Sequence, residues 1–143
     1  MIAFDTNFLL RWLLGDDVAQ TEEVRKVVAA AEDAGEQVFL PVVVIAETAW
    51  FLSRRRKASR SEQIAHVRAL LDDPLFLIQH REELEVALED FSRGKAGYCD
   101  YLIGALASPA GARTTYTFDR ALGGSNGFTV SSVPDISPET RHG

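Results

Sequence analysis

One cysteine among 143 residues excludes an intramolecular disulfide framework and any thiolate zinc cage. Positive charge is also scarce. The 15 Lys and Arg face 21 Asp and Glu, a formal net charge of −6, which argues against a protein that grips polyanions through a broad cationic surface. No apolar run reaches the length of a membrane span, and the apolar start Met1 to Phe4 meets Asp5 with no basic segment before it, so no secretory leader is expected. With Cys99 suited to a reducing compartment, these absences imply a cytoplasmic protein. Repeats, low-complexity tracts and Gly- or Pro-rich linkers are lacking as well.

What is present is apolar patterning. A hydrophobic content of 46% in this length fits one globular domain, over residues 1–133, with a loosely held tail over 134–143. Met1 to Phe4 reads as a buried strand that feeds a helix over Phe8 to Leu14, stopped by Gly15-Asp16-Asp17. Val24, Val27, Val28 and Ala31 recur at helical spacing between Val18 and Ala34, with Gly35 as a stop. Gln37 to Leu40 is a short strand, and Pro41 suits the first turn of a helix over Val42 to Arg56. Ser61 opens a further helix through Ile64 to Leu71, closed by Asp72-Asp73-Pro74. A strand over Leu75 to Gln79, helices over Arg81 to Ser92 and Tyr98 to Ala107, and strands over Thr114 to Phe118 and Phe128 to Val133 complete the pattern. Strands alternating with amphipathic helices predict an α/β fold with a mostly parallel central sheet flanked by helices.

Four carboxylates stand out by position. Asp5 and Asp119 each follow a predicted strand, where open parallel sheets place their ligands, although Asp there is equally a favoured N-cap. Glu47 is the one charged residue in Val42-Val43-Val44-Ile45-Ala46-Glu47-Thr48-Ala49-Trp50-Phe51-Leu52. A buried carboxylate there would need a partner or a metal; otherwise Glu47 marks the wet face of its helix. Asp100, between Tyr98-Cys99 and Tyr101-Leu102-Ile103, sits near a helix start, where the dipole also favours an acid. Taken together, four acids on strand ends and helix starts are the ligand type that Mg²⁺ or Mn²⁺ takes.

In order along the chain, these blocks resemble the PIN-domain family, specifically its VapC-like ribonuclease toxins of toxin–antitoxin pairs. Met1-Ile2-Ala3-Phe4-Asp5-Thr6-Asn7-Phe8-Leu9-Leu10-Arg11 resembles the family's first strand with its Asp-Thr-Asn signature. Pro41-Val42-Val43-Val44-Ile45-Ala46-Glu47 resembles the block with the second acid, Tyr98-Cys99-Asp100-Tyr101-Leu102-Ile103 the third, and Thr117-Phe118-Asp119-Arg120 the fourth. The resemblance implies a three-layer PIN-like fold and an endoribonuclease that uses one or two Mg²⁺ or Mn²⁺ ions, held by Asp5, Glu47, Asp100 and Asp119, with Asn7 and Thr117 as accessory polar groups. Metal-activated water would attack phosphorus in line, as in two-metal sites with ions about 4 Å apart. Implied partners are an RNA substrate, a cognate antitoxin that lays an amphipathic helix in an apolar groove, and a second copy in a homodimer. Cys99 stands where the family often has Ala, and Asp119 is the position whose metal contact varies most.

The dense basic cluster Arg54, Arg55, Arg56 and Lys57, with Arg60, is either a solvated helix end or a rail for an RNA backbone. Trp12, Trp50 and Phe51 read as core or interface anchors rather than base-stacking platforms, with Trp50 and Phe51 the candidates for a partner's groove. His66, His80 and His142 lie outside the acid blocks and read as surface residues, and Cys99 as a small packed residue. Alternative functions are a PIN nuclease of RNA maturation or DNA processing, and a catalytically silent PIN binding module. A haloacid-dehalogenase-type phosphatase also begins with a strand and an Asp, but its general acid two residues on is replaced here by Asn7.

Overall fold

The computed structural model describes residues 1–133, so the tail 134–143 and His142 lie outside the described residues. These divide into two units, Met1–Glu85 and Val86 onward.

The first unit runs β1 (Ile2–Ala3), α1 (Thr6–Leu14), α2 (Val18–Asp33), β2 (Val38–Leu40), α3 (Val42–Arg54), α4 (Arg60–Asp72), β3 (Phe76–Ile78) and the start of α5 (Arg81–Arg93). The strands lie in the order β1-β2-β3 and all pair in parallel, with Ala3 opposite Phe39 and Leu40 opposite Ile78. Parallel neighbours finish on one edge. Asp5, Pro41 and Gln79 therefore leave the sheet together, and the ladder is extended by Phe4 N donating to Phe39 O at 3.4 Å and Gln79 N to Leu40 O at 3.0 Å. Val38 and Leu40, on one face of β2, are fully buried, and Phe39 on the other face is half-buried. Phe4 packs on Phe8 and Phe76, with ring centroids 4.7 and 6.2 Å away. Leu9, Val24, Ile45, Leu52 and Leu71 bring the helices' apolar faces into the same core, each such side chain contributing about 1.5–3 kcal/mol of burial.

Local chemistry sets the helix ends. Gly15 takes the left-handed conformation at φ 60° and its amide returns to Arg11 O, closing α1. Asp17 caps α2 by accepting from Gln20 N at 2.9 Å. Pro41 has no side chain with which to cap α3, and Gln79, from the end of β3, supplies the missing acceptor: its Oε1 takes the Val42 amide at 2.9 Å. The start of α4 corrects the sequence reading. Ser59, not Ser61, is the cap, and with Glu62 it closes a reciprocal capping box.

The second unit holds the rest of α5, then α6 (Tyr98–Ala107), β4 (Thr115–Thr117), a 3-10 turn at Arg120–Leu122, and β5 (Phe128–Val130). β4 and β5 pair in parallel, Thr115 opposite Phe128 and Thr117 opposite Val130. Its core is built from Ala87, Leu88, Phe91, Tyr98, Leu102 and Leu122, with Phe91 edge-on to Tyr98 at 5.8 Å. The buried Tyr101 hydroxyl accepts from Lys95 N and Ala96 N and so ties the α5–α6 loop to α6. The fold class is the expected α/β with parallel strands.

Gly104 is where α6 meets β5, since a Cβ there would stand 2.6 Å from the Phe128 ring. Helix propensity alone favours Gly104→Ala by about 1 kcal/mol; the clash reverses the sign. Gly104→Ala is expected to lower stability by about 1–3 kcal/mol, read as a lower urea midpoint. In a Phe128→Leu background the same change is expected to become neutral or stabilising, and an unrelieved loss there would refute this packing.

Candidate active site

α3 is amphipathic in a way its sequence conceals. Val44, Ile45, Thr48, Ala49 and Leu52 are buried, whereas Val43, Glu47, Trp50 and Arg54, at helical spacing, all face water. Glu47 is thus an exposed carboxylate on the wet stripe, not a buried one in an apolar run. Because it is the sixth residue of α3, it lies beyond the first turn, where a helix dipole would favour it. A hydrogen bond holds it instead. Thr6 Oγ1, at the start of α1, donates to Glu47 Oε1 at 2.7 Å, a charge-assisted contact between two elements that leave the same sheet edge.

Thr6, Asn7 and Leu10 of α1 and Ala46, Glu47, Trp50 and Phe51 of α3 line an open cavity of about 510 Å³. Asn7 and Glu47 are exposed, Leu10 is a buried floor, and Phe51 is half-buried. Trp50 keeps 51% of its surface exposed, so of the core and interface roles read from the sequence, the core role does not hold. Sequence reading gave Thr6 no role and named Trp50 without placing it beside Glu47. The signals were there: a hydroxyl between Asp5 and Asn7, and an aromatic three residues after Glu47.

Asp5 is exposed, and its Oδ1 accepts from Phe8 N at 2.9 Å, the N-cap of α1. In the second unit, Asp100, third residue of α6, reaches back with Oδ2 to Gly97 N at 3.0 Å. Asp119, exposed after β4, caps the 3-10 turn, its Oδ1 taking Ala121 N at 2.9 Å, while its own amide donates to Thr117 Oγ1 at 3.0 Å. Each of these acids spends one oxygen on a backbone amide. The other oxygen of each accepts no hydrogen bond from the described residues. Among the described residues, no three His, Cys, Asp or Glu side chains are grouped so as to hold a metal ion by themselves.

The basic cluster ends α3. Arg54, Arg55, Arg56 and Lys57 are all exposed, and Arg56 lies 3.6 Å from Asp16, which also takes Arg11 at 3.1 Å. Cys99 is largely buried, and desolvation, with the charge of Asp100 second, pushes its thiol above the ordinary range. That environment disfavours a thiolate nucleophile.

Capping and chemistry at Asp5 separate by substitution. Asn serves an N-cap nearly as well as Asp, so Asp5→Asn is expected to keep wild-type stability within a few tenths of a kcal/mol, and Asp5→Ala to lose about 1 kcal/mol. Equal losses for both, in chemical denaturation without divalent cations, would contradict this geometry.

Comparison with known proteins fits this arrangement. The PIN domain family model matches residues 2–123. A VapC ribonuclease of Aquifex aeolicus (strain VF5) is 27% identical over 120 residues, covering 84% of this chain and 88% of that protein. The acids Asp5, Glu47, Asp100 and Asp119 all fall inside the matched span. On the strength of that match across most of its length, and of its α/β fold with parallel strands, the chain belongs to the PIN domain family.

Proposed function

We propose that this PIN-family protein is a Mg²⁺- or Mn²⁺-dependent endoribonuclease and the VapC-like toxin of a toxin–antitoxin pair, with residues 1–133 as its one nuclease domain. The observation that carries the reading is Glu47, held by Thr6 beside Asn7 at the sheet edge from which Asp5 emerges. The VapC ribonuclease relative supports RNA as the substrate. A cytoplasmic location, a homodimer and a cognate antitoxin belong to the same proposal.

The donors suit the metal. Asp5, Asp100 and Asp119 keep one carboxylate oxygen each beyond their caps, and Glu47 keeps Oε2 beyond Thr6. Hard divalent cations take such oxygens, together with water and substrate phosphate. When bound, an ion of this kind polarises a phosphoryl oxygen and makes a bound water more acidic. The chain's own contribution is preorganisation: hydrogen bonds from backbone amides fix the Asp rotamers, Thr6 fixes Glu47, and the Asn7 and Thr117 side chains are the accessory polar groups. Arg54, Arg55 and Lys57 would meet the RNA backbone, more so than Arg56, whose charge Asp16 partly offsets.

Purified protein is expected to cleave RNA with Mn²⁺ or Mg²⁺ and to stop when the ions are chelated. Asp5→Asn and Glu47→Gln should each lose roughly 100-fold or more in rate, and should gain less melting temperature from Mn²⁺ than wild type does. Cleavage that survives in excess chelator, or a fully active Asp5→Asn, would end this reading; cleavage of DNA in place of RNA would redirect it to a DNA-processing PIN nuclease.

Neutralising Arg54 and Arg55 together is expected to weaken RNA binding and flatten its dependence on log salt by roughly 1 to 1.5. Arg56→Gln should change that slope less. Identical slopes for wild type and the double variant would return the cluster to an ordinary solvated helix end.

A further inference from the structure

Trp50 is the feature that the four acids and the basic cluster leave unexplained. A single exposed aromatic is ordinary on a protein surface. What distinguishes Trp50 is its neighbourhood: it lines the same cavity as Glu47, Thr6 and Asn7, three residues beyond Glu47 on the wet stripe of α3. At about 510 Å³, that cavity lies in the usual range for a small-molecule group. Its lining is divided. Trp50, Phe51 and Leu10 give it apolar walls, Thr6 and Asn7 give it polar groups, and Glu47 is the one charge.

That division selects an occupant. The lining has no Lys or Arg, so a phosphate would be held here only through a cation on Glu47, and the apolar walls beside it are left for another part of the nucleotide. A flat neutral ring with hydrogen-bonding edges suits the cavity: the indole offers a stacking face, and the Asn7 amide both donates and accepts, as recognition of a base edge requires. A ribonucleotide carries such a ring on the same unit as its phosphate. We infer that this cavity receives an unpaired nucleobase of the RNA, stacked on Trp50 next to the phosphate that is cut. A base inside a duplex is already stacked and paired and cannot enter. This inference rests on the ribonuclease reading for its ligand, but on Trp50 for its prediction.

The test uses a short fluorescent single-stranded RNA, kept uncut by chelator, and the same RNA annealed to its complement. Trp50→Ala is expected to bind the single strand roughly tenfold to a hundredfold more weakly, with duplex binding unchanged; Trp50→Phe should retain most of the affinity. On an RNA made abasic at the residue beside the cleaved bond, wild type should bind as weakly as Trp50→Ala, and Trp50→Ala should lose nothing more. The Mn²⁺-induced melting shift of Trp50→Ala should equal that of wild type, since Trp50 is no metal ligand. Equal single-strand affinity of wild type and Trp50→Ala would overturn the inference, as would a loss of equal size on the duplex. Loss of a co-purifying antitoxin with RNA affinity intact would overturn it too, making the cavity a groove for a protein. If wild type cleaves no RNA with Mn²⁺ yet shows Trp50-dependent single-strand binding, the ribonuclease reading fails and the base site stands.

Discussion

The parallel pairing of β1, β2 and β3 is the constraint from which the rest of the first unit follows. A parallel strand cannot turn back on its neighbour in two residues; it must return by a long crossover, usually helical. Here each crossover is a pair of helices, α1–α2 and α3–α4, and each first helix starts within a few residues of the strand before it. Strands of two or three residues suffice because buried side chains fix the register: a slip by one would turn Val38 and Leu40 toward the wrong face. Once the register is set, the N-termini of α1 and α3 emerge on one sheet edge. The Thr6 hydroxyl can then reach Glu47 although 41 residues separate them.

Side chains at this edge can serve the fold and still present an oxygen. Asp5 caps α1 with one oxygen and keeps the other, and Asp100 and Asp119 follow the same rule in the second unit. A cap and a candidate ligand are therefore not rival explanations of an acid. An N-cap removes rotamer freedom from the carboxylate, which lowers the ordering cost of presenting its free oxygen to a cation or a substrate. Gln79 shows the converse case, a side chain that works only as structure, completing the α3 terminus that Pro41 cannot cap.

Much of this was legible in the sequence because local signals and global fold agree. Gly15 stops α1 and Asp17 starts α2 by chemistry that needs no tertiary context, and the helical period of Leu84, Ala87, Leu88 and Phe91 holds through α5, where all four are buried. The membership of the PIN family was equally legible, since its blocks are short and ordered. What was not legible depends on residues distant in sequence. The Gln79 cap, the Thr6–Glu47 bond and the exposure of Trp50 each require knowing which elements leave which edge. Glu47 was the hardest residue to read, for the run around it is so apolar that burial looked natural. Val43 and Trp50, apolar yet exposed, supply that run's hydrophobicity without burying the acid between them. Ser59 and Ser61 differ for a local reason, since only Ser59 stands three residues before Glu62 and so can form the reciprocal pair.

The position of Glu47 within α3 accounts for the way the site is built around it. An acid in the first turn, like Asp100 in α6, is favoured by the helix dipole and can reach a backbone amide of its own terminus. Glu47, a turn further in, has neither aid. A partner from another element must orient it, and the one present is a neutral hydroxyl. An Arg or Lys in place of Thr6 would hold the carboxylate more strongly but would cancel the charge that a cation site needs; a hydroxyl donates one hydrogen bond and leaves the charge intact. The nearest guanidinium on the same stripe, Arg54, stands two turns away. The cations of that region are drawn elsewhere, Arg11 and Arg56 to Asp16.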